Sequence, residues 1–289
     1  MRQRITTLVV ILLAAVFLPA AERINHEGRI LGPLAVVTNA LLFNTTNADA
    51  VVSTMQVFPR NHAWNEDISR RPTLTNTDAM MNYIISSLAT NRRTPRAFYE
   101  MNYVLVPNSQ APVPIVFNNP PEYYPDDSDP GPYPFATNTP VELWPRGTGT
   151  NTLISWQRKD DGSDRHSIAV MPGSNLVWET WRTVYDTSHP TNWRAGTGAR
   201  FNLNTNASRA AGLSSADASG LSMFAGLVRF DECERDMVEH AIRMVVRTTR
   251  HEGVHVAAAT VAVHHVRTEV APAGCLIAGL FTQFPLCGV

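Results

Sequence analysis

Apolar and polar residues alternate along the middle of the chain, which is the pattern of half-buried β-strands. One alternating run covers 165–171 and a second covers 176–181, and the Pro-Gly-Ser-Asn turn at 172–175 between them predicts a β-hairpin. Short β-branched runs at 103–106 and 113–117 predict another hairpin or two consecutive strands. The chain is therefore expected to form many short strands.

Apolar residues with the spacing of a helix are rarer than the alternating runs. Thr77 or Asp78 is suited to cap a helix, and the apolar residues that follow form one stripe, which we expect to pack against a sheet: Met80, Met81, Ile84, Ile85 and Leu88. A short helix is also predicted within 231–239. The predicted fold class is therefore mainly β, a single antiparallel β-sandwich or jelly-roll-like domain with one or two short helices.

The N-terminus has the pattern of an export signal. Arg2 and Arg4 precede an uncharged apolar run at 5–18, and small residues follow at 20–21. This run is shorter than the roughly 20 apolar residues that a membrane-spanning helix needs. Residues 1–21 are therefore predicted to be a signal peptide, with an uncleaved anchor as the alternative. We expect a secreted or cell-surface protein with no membrane span beyond this segment.

The rest of the chain divides into three parts. Residues 22–54 are weakly patterned and are predicted to be a loosely structured lead-in, 55–250 form the β-rich domain, and 251–289 form an atypical tail. The three cysteines, Cys233, Cys275 and Cys287, are an odd number for an exported protein, so at most one disulfide forms. Cys275 with Cys287 is the local candidate, and the pairing stays open.

Composition excludes one class of partner. The chain has 289 residues, of which 44% are hydrophobic, enough to fill a globular core. The net charge is −1, and every basic side chain except Lys159 is arginine or histidine. The excess of positive charge that neutralises a phosphate backbone is missing, so no nucleic-acid partner is expected.

A long connection at 118–151 is rich in proline, glycine, aspartate and asparagine. Such a composition disfavours regular secondary structure, and long loops of this kind are often functional. The acidic, aromatic part at 119–134 has two interpretations, which the sequence leaves open. It either lines a groove or wraps the surface of the domain.

The chain resembles a family of secreted, mostly bacterial proteins of uncharacterised activity over about 57–250. The resemblance is carried by eight ordered motifs: Phe58-Pro with 63–68, 104–110, 128–134, Asp164-Arg-His with Trp178-Glu, 195–203, 215–217, 226–232 and 240–243. It implies export but no reaction. The chain departs from the family after Arg250, where a tail rich in Ala, Val and His also fits a shifted reading frame.

The ionisable and aromatic residues between 164 and 232 predict a site for an extracellular polysaccharide. Paired carboxylates with a histidine suit acid/base chemistry on a glycosidic bond, and the catalytic candidates are Asp164, His166, Glu179 and Asp231. Tryptophans stack on sugars and arginines donate to them, and the binding candidates are Trp178, Trp181, Trp193, Arg165, Arg200 and Arg229. Glycan binding or processing is the leading hypothesis, and an enzymatic activity stays open.

Two alternatives remain. His251-Glu252-x-x-His255 matches the zinc-peptidase pattern, in which two histidines one helical turn apart bind Zn²⁺ and the glutamate activates water. Glu269, His264 or His265 could supply the third ligand, although the downstream residues of the longer motif are missing. No cofactor is favoured, and Zn²⁺ belongs to this alternative alone. The other alternative is a purely structural surface protein.

Overall fold

A computed structural model describes most of the central part of the chain. The described residues are 23–25, 27–67, 70, 72–86, 88–90, 101–188, 192–210, 212–217, 219–243 and 266–267. The predicted signal segment and nearly all of the tail lie outside these residues. Among the described residues, no helix combines the length and the apolar character needed to cross a membrane.

Short strands dominate the described structure. The strands are β1 Leu41–Leu42, β2 Tyr103–Leu105, β3 Ile115–Phe117, β4 Ser167–Met171, β5 Leu176–Trp181, β6 Val184–Tyr185, β7 Trp193–Ala195, β8 Thr197–Asn202, β9 Met237–Val238 and β10 Val266–Arg267. The α-helices are α1 Thr46–Val52, α2 Thr77–Ser86, α3 Leu153–Arg158 and α4 Phe230–Glu234. The mainly β class with short helices is confirmed.

The strands form mixed sheets. The larger sheet has the order β1-β2-β4-β5-β8, a second sheet has the order β3-β7-β6, and β9 and β10 form a separate antiparallel pair. The predicted β4–β5 hairpin is present, with Val170 opposite Val177. Two pairings, β2 with β4 and β3 with β7, are parallel. The sheets are therefore mixed, whereas the sequence predicted antiparallel pairing. The runs at 103–106 and 113–117 do not form a hairpin together, because β2 and β3 belong to different sheets.

The larger sheet is covered on both faces. Residues such as Leu105, Val170 and Phe201 pack on one face against α1 and residues 223–225. Val104, Ala169 and Trp178 pack on the other face against β3, β7 and the loop residues Tyr133 and Phe135. All three residues of β2 are buried, as expected for a strand covered on both sides. The alternation of apolar and polar residues in the sequence did not reveal that both faces of the sheet are covered, because residues on each face belong to the core.

Two segments differ from the expectation at the edges of the domain. The predicted lead-in contributes β1 and α1, and Ala48, Val51 and Val52 of α1 belong to the core. A helix of two turns carries too few apolar positions to stand out in the sequence. The predicted helix α2 forms, but none of its residues is fully buried: Met80, Met81 and Ile84 are half-buried and Ile85 is exposed, so the apolar stripe is only partly covered.

Candidate functional site

The end of β5 places Trp181 beside an exposed tyrosine, Tyr124. The Trp181 and Tyr124 rings are stacked, with their centroids 6.2 Å apart and their planes 28° apart. Tyr124 is 48% exposed and the adjacent Tyr123 is 49% exposed, whereas Trp181 is half-buried. We refer to Tyr123, Tyr124 and Trp181 as the aromatic platform. Adjacent exposed aromatic residues make this surface a candidate for ligand binding.

Two contacts hold the Trp181 indole in place. Its Nε1 donates a hydrogen bond to the Asp164 carboxylate, with an N···O distance of 3.0 Å. Gly196 lies against the ring, and a Cβ atom at this position would be 2.6 Å from the indole Cε3. Any other residue would therefore push the ring away. The Gly-x-Gly pair at 196–198 serves close packing here, since Gly198 is similarly close to Phe117 and Tyr133.

The long connection supplies the tyrosines of the platform. The Tyr124 backbone N–H donates to the Gly196 carbonyl at 2.8 Å, and the Gly196 N–H donates to the Trp181 carbonyl at 2.7 Å. These bonds attach the loop to the junction of β5 and β8. Other parts of the same loop enter the core through Tyr133 and Phe135, so the connection both wraps the domain and contributes to the platform.

Arg182 links the platform to a neighbouring pocket. Its guanidinium carbon lies 5.6 Å from the centre of the Trp181 ring, and its Nη2 donates to the Pro120 carbonyl at 2.7 Å. The Asn119 side chain donates to the Arg182 carbonyl at 2.8 Å. Asn119 also lines a pocket of about 270 Å³, together with Arg158, Asp160, Tyr185, Asp186 and Arg194.

A larger cavity of about 380 Å³ lies at the opposite end of β5, beside Ser174 and Asn175. It is lined mainly by amide side chains, prolines and apolar residues, and none of the predicted site residues reaches it. The chemistry that the sequence predicts is therefore separate from this cavity.

His166 is buried next to a carboxylate that the sequence did not single out. Its Nδ1 lies 2.7 Å from Glu142 Oε2, and its Nε2 lies 3.1 Å from the Ala216 carbonyl. The His166 backbone N–H donates to the same Glu142 oxygen at 3.0 Å. Both ring nitrogens therefore face acceptors inside the protein. These contacts connect β4 with the segments around 142 and 216.

Glu179 is a fully buried carboxylate in the middle of β5. It accepts hydrogen bonds from the Ser222 hydroxyl at 2.7 Å and from the Met223 and Phe224 backbone N–H groups, both at 2.9 Å. Burial raises the pKa of Glu179, and these three donors oppose the rise only in part. The carboxylate therefore anchors the turn at 222–226 to the larger sheet.

Asp231 belongs to a buried ion-pair network at α4. Its Oδ2 accepts a hydrogen bond from Arg235 at 2.7 Å, and its Oδ1 lies 3.6 Å from Arg229 Nε. Arg229 also pairs with Glu232 at 2.9 Å, and Glu232 lies 3.0 Å from His240 Nε2. Burial acts to raise the pKa of Glu232, but Arg229 and His240 outweigh it and hold the pKa at about 2.

The other predicted binding residues lie mostly in the core. Trp178 and Trp193 are buried between the two sheets. The Arg165 guanidinium is buried and donates to the carbonyls of Thr183 and Trp156. Arg200 is exposed on β8, with its guanidinium 5.6 Å from the Trp178 ring. Among the predicted tryptophans, Trp181 is the one with substantial exposure.

The structure brings Asp164 and Trp181 into direct contact and puts the other predicted catalytic residues in buried networks. Their catalytic roles stay predictions. Sequence reasoning missed Glu142 and Arg158, for which the chain carries no pattern. It marked the loop around Tyr124 as a candidate groove wall without selecting the residue. His251, Glu252, His255 and Glu269 lie outside the described residues, so the zinc alternative also stays a prediction.

Comparisons of this chain with protein-family models, with curated proteins and with solved structures found no match. The resemblance to a secreted bacterial family therefore stays an expectation, and the functional argument depends on the described residues themselves.

Proposed function

We propose that the protein is exported and binds an extracellular glycan at the aromatic platform. The observation that carries this proposal is the half-exposed Tyr124 ring stacked beside an indole that Asp164 and Gly196 already hold in place, with the exposed Tyr123 next to it along the chain. Aromatic faces offer large apolar area with a specific geometry, which suits the flat apolar faces of sugar rings. A platform that is ordered before binding also loses little conformational entropy on binding.

Binding is favoured over cleavage by the positions of the carboxylates. A glycosidase needs two carboxyl groups that both face the sugar, roughly 5 to 10 Å apart. Asp164 is exposed at the platform. Glu179 is fully buried and accepts three hydrogen bonds, and the buried Asp231 pairs with arginines. The Asp164 carboxylate, which holds the indole, is thus left without an evident catalytic partner among the predicted acids.

A glycan array combined with analysis of reaction products tests this proposal. We expect binding of at least one class of polysaccharide without release of shorter products. Tyr124→Ala should weaken that binding about fivefold, because one stacking contact contributes on the order of 1 kcal/mol. Tyr83→Ala is the matched control, because Tyr83 is another exposed tyrosine, 60% exposed on α2.

Two results would contradict the proposal. A folded protein that binds no glycan on a broad array would favour the structural surface protein. Equal losses for Tyr124→Ala and Tyr83→Ala would show that the platform is not the binding surface. Release of shorter products would instead establish an enzyme, and the acid/base candidates would then need to be tested one by one.

A further inference from the structure

The pocket beside the platform presents one arginine whose donors are available. Arg158 is the last residue of α3, a helix that begins after the N-cap Thr152. Its guanidinium carbon lies 6.0 Å from the centre of the Tyr185 ring. Within the described part of the chain, the Arg158 guanidinium makes no hydrogen bond and no ion pair. Its N–H groups are therefore free to bind a ligand, while Tyr185 limits the positions of the side chain.

The other charges that line this pocket are matched in pairs. Arg194 donates to Asp186 Oδ2 at 2.9 Å and to the side chain of Asn118 at the same distance. Hydrogen bonds from Ser188 and from Arg194 lower the pKa of Asp186 to about 2, so its carboxylate is ionised and compensates Arg194. Asp160 Oδ1 lies 3.9 Å from Arg182 Nη2. Arg158 is the charge that remains without an acidic partner.

The pocket and the platform are close enough for one ligand. Arg182 stands between them, because its guanidinium lies over the Trp181 ring and its Nη2 is near Asp160, which lines the pocket. On the other side, Asn119 lines the pocket and leads along the chain to Tyr123 and Tyr124. The pocket is therefore within reach of a sugar that neighbours one stacked on the platform.

We propose that the glycan is acidic, and that Arg158 binds its carboxylate or sulfate group in this pocket while a neighbouring sugar ring stacks on the aromatic platform. This inference rests on the proposed function. An arginine presents several N–H donors in a planar fork that matches both kinds of oxyanion. The guanidinium supplies charge preference, and the platform supplies contact area that is independent of charge.

Binding titrations of the whole protein test the charge preference with three probes of equal length: a hexamer of glucose, a hexamer of galacturonic acid and a sulfated glucose hexamer. We expect at least one acidic probe to bind about tenfold more tightly than the neutral one at low salt. Arg158→Gln should reduce that preference to about twofold or less. Lys159→Gln is the matched control, since it removes the same charge at the next residue but does not line the pocket.

The outcomes separate this inference from the proposed function. If all three hexamers bind equally and Tyr124→Ala weakens each of them, the platform binds glycan but the acidic preference is wrong. If the preference falls equally in Arg158→Gln and Lys159→Gln, general surface charge causes it and the pocket assignment is wrong. A better affinity for the sulfated hexamer than for the galacturonic acid hexamer identifies sulfate as the source of the charge, and the reverse identifies carboxylate.

Discussion

Asp164 and Glu179 illustrate how two regions of this molecule use the same chemical group differently. Glu179 lies inside the larger sheet, fully buried, with three hydrogen-bond donors around one carboxylate. Asp164 lies just before β4, at the exposed end of the same β4–β5 hairpin, and accepts one hydrogen bond from the Trp181 indole. The buried region has its polar groups committed to the fold, whereas the exposed region keeps surface available for a partner. This difference leads to four predictions.

Glu179→Ala should have the largest effect on stability. It leaves the Ser222 hydroxyl and the two backbone N–H groups of 223–224 buried without an acceptor, and it opens a cavity. The expected loss is about 3 to 5 kcal/mol in the free energy of unfolding, measured by urea denaturation. Glu179→Gln keeps the shape and one acceptor oxygen, so its loss should be smaller. If the alanine variant were as stable as the natural protein, Glu179 would have no structural role and the prediction would be wrong.

The Glu232 ion pair predicts a loss of stability in acid. The folded-state pKa of about 2 lies below the ordinary value of 4.5, so the stabilisation is present above pH 4.5 and is lost as the pH falls towards 2. Glu232→Gln should be less stable near neutral pH. Its difference from the natural protein should shrink by about 2 kcal/mol between roughly pH 6 and pH 2.5. A difference that does not depend on pH would contradict this assignment.

The pKa of Asp49 is raised, so it predicts the opposite pH dependence of stability, with a smaller magnitude. Burial, and then the nearby Asp231 and Glu234 carboxylates, raise its pKa from 3.8 to about 6. A raised carboxyl pKa favours the protonated folded state, so its contribution is present below 3.8 and is lost as the pH rises through 6. Asp49→Asn should therefore stabilise the protein by about 1 kcal/mol or less near pH 7, since Asp49 is only half-buried. Equal urea midpoints at pH 7 would contradict the prediction.

Asp164→Ala should have the smallest effect on stability. The carboxylate is exposed and accepts one hydrogen bond, so the free energy of unfolding should change by no more than about 1 kcal/mol. Glycan affinity should nevertheless fall by about twofold to fivefold, because the indole of the platform is less restrained. Asp164→Asn keeps an acceptor oxygen and serves as the control. A large loss of stability would place Asp164 with the buried carboxylates and would weaken the contrast between the two regions.

The sequence predicted the local elements well where their patterns were long. The alternation at 165–171 and 176–181 gave the β4–β5 hairpin, and the spacing after Thr77 gave α2. The pairing of strands that are distant in the sequence was not predicted. The parallel pairing of β2 with β4 joins residues separated by more than sixty positions, and no local pattern encodes such a choice.

The candidate site was predicted in the same uneven way. Trp181 and Asp164 were selected from their residue types, and they are in contact. Trp178 was selected for the same reason, yet it is buried, because both faces of the larger sheet are covered. Arg158 was not selected. It is a candidate only because it has no acidic partner among the described residues of a pocket that is formed by segments distant in the sequence.

The sequence by itself determined that this protein is rich in short strands and carries carboxylates, arginines and tryptophans on or near them. These properties depend on residues that are close together along the chain, where the period of the apolar positions and the turn residues act directly. Only the tertiary structure decided which carboxylate is buried and which is exposed. Glu179 and Asp164 differ in their surroundings rather than in their chemistry, and those surroundings come from residues 222–224 and 181, which reach the two carboxylates only when the chain folds.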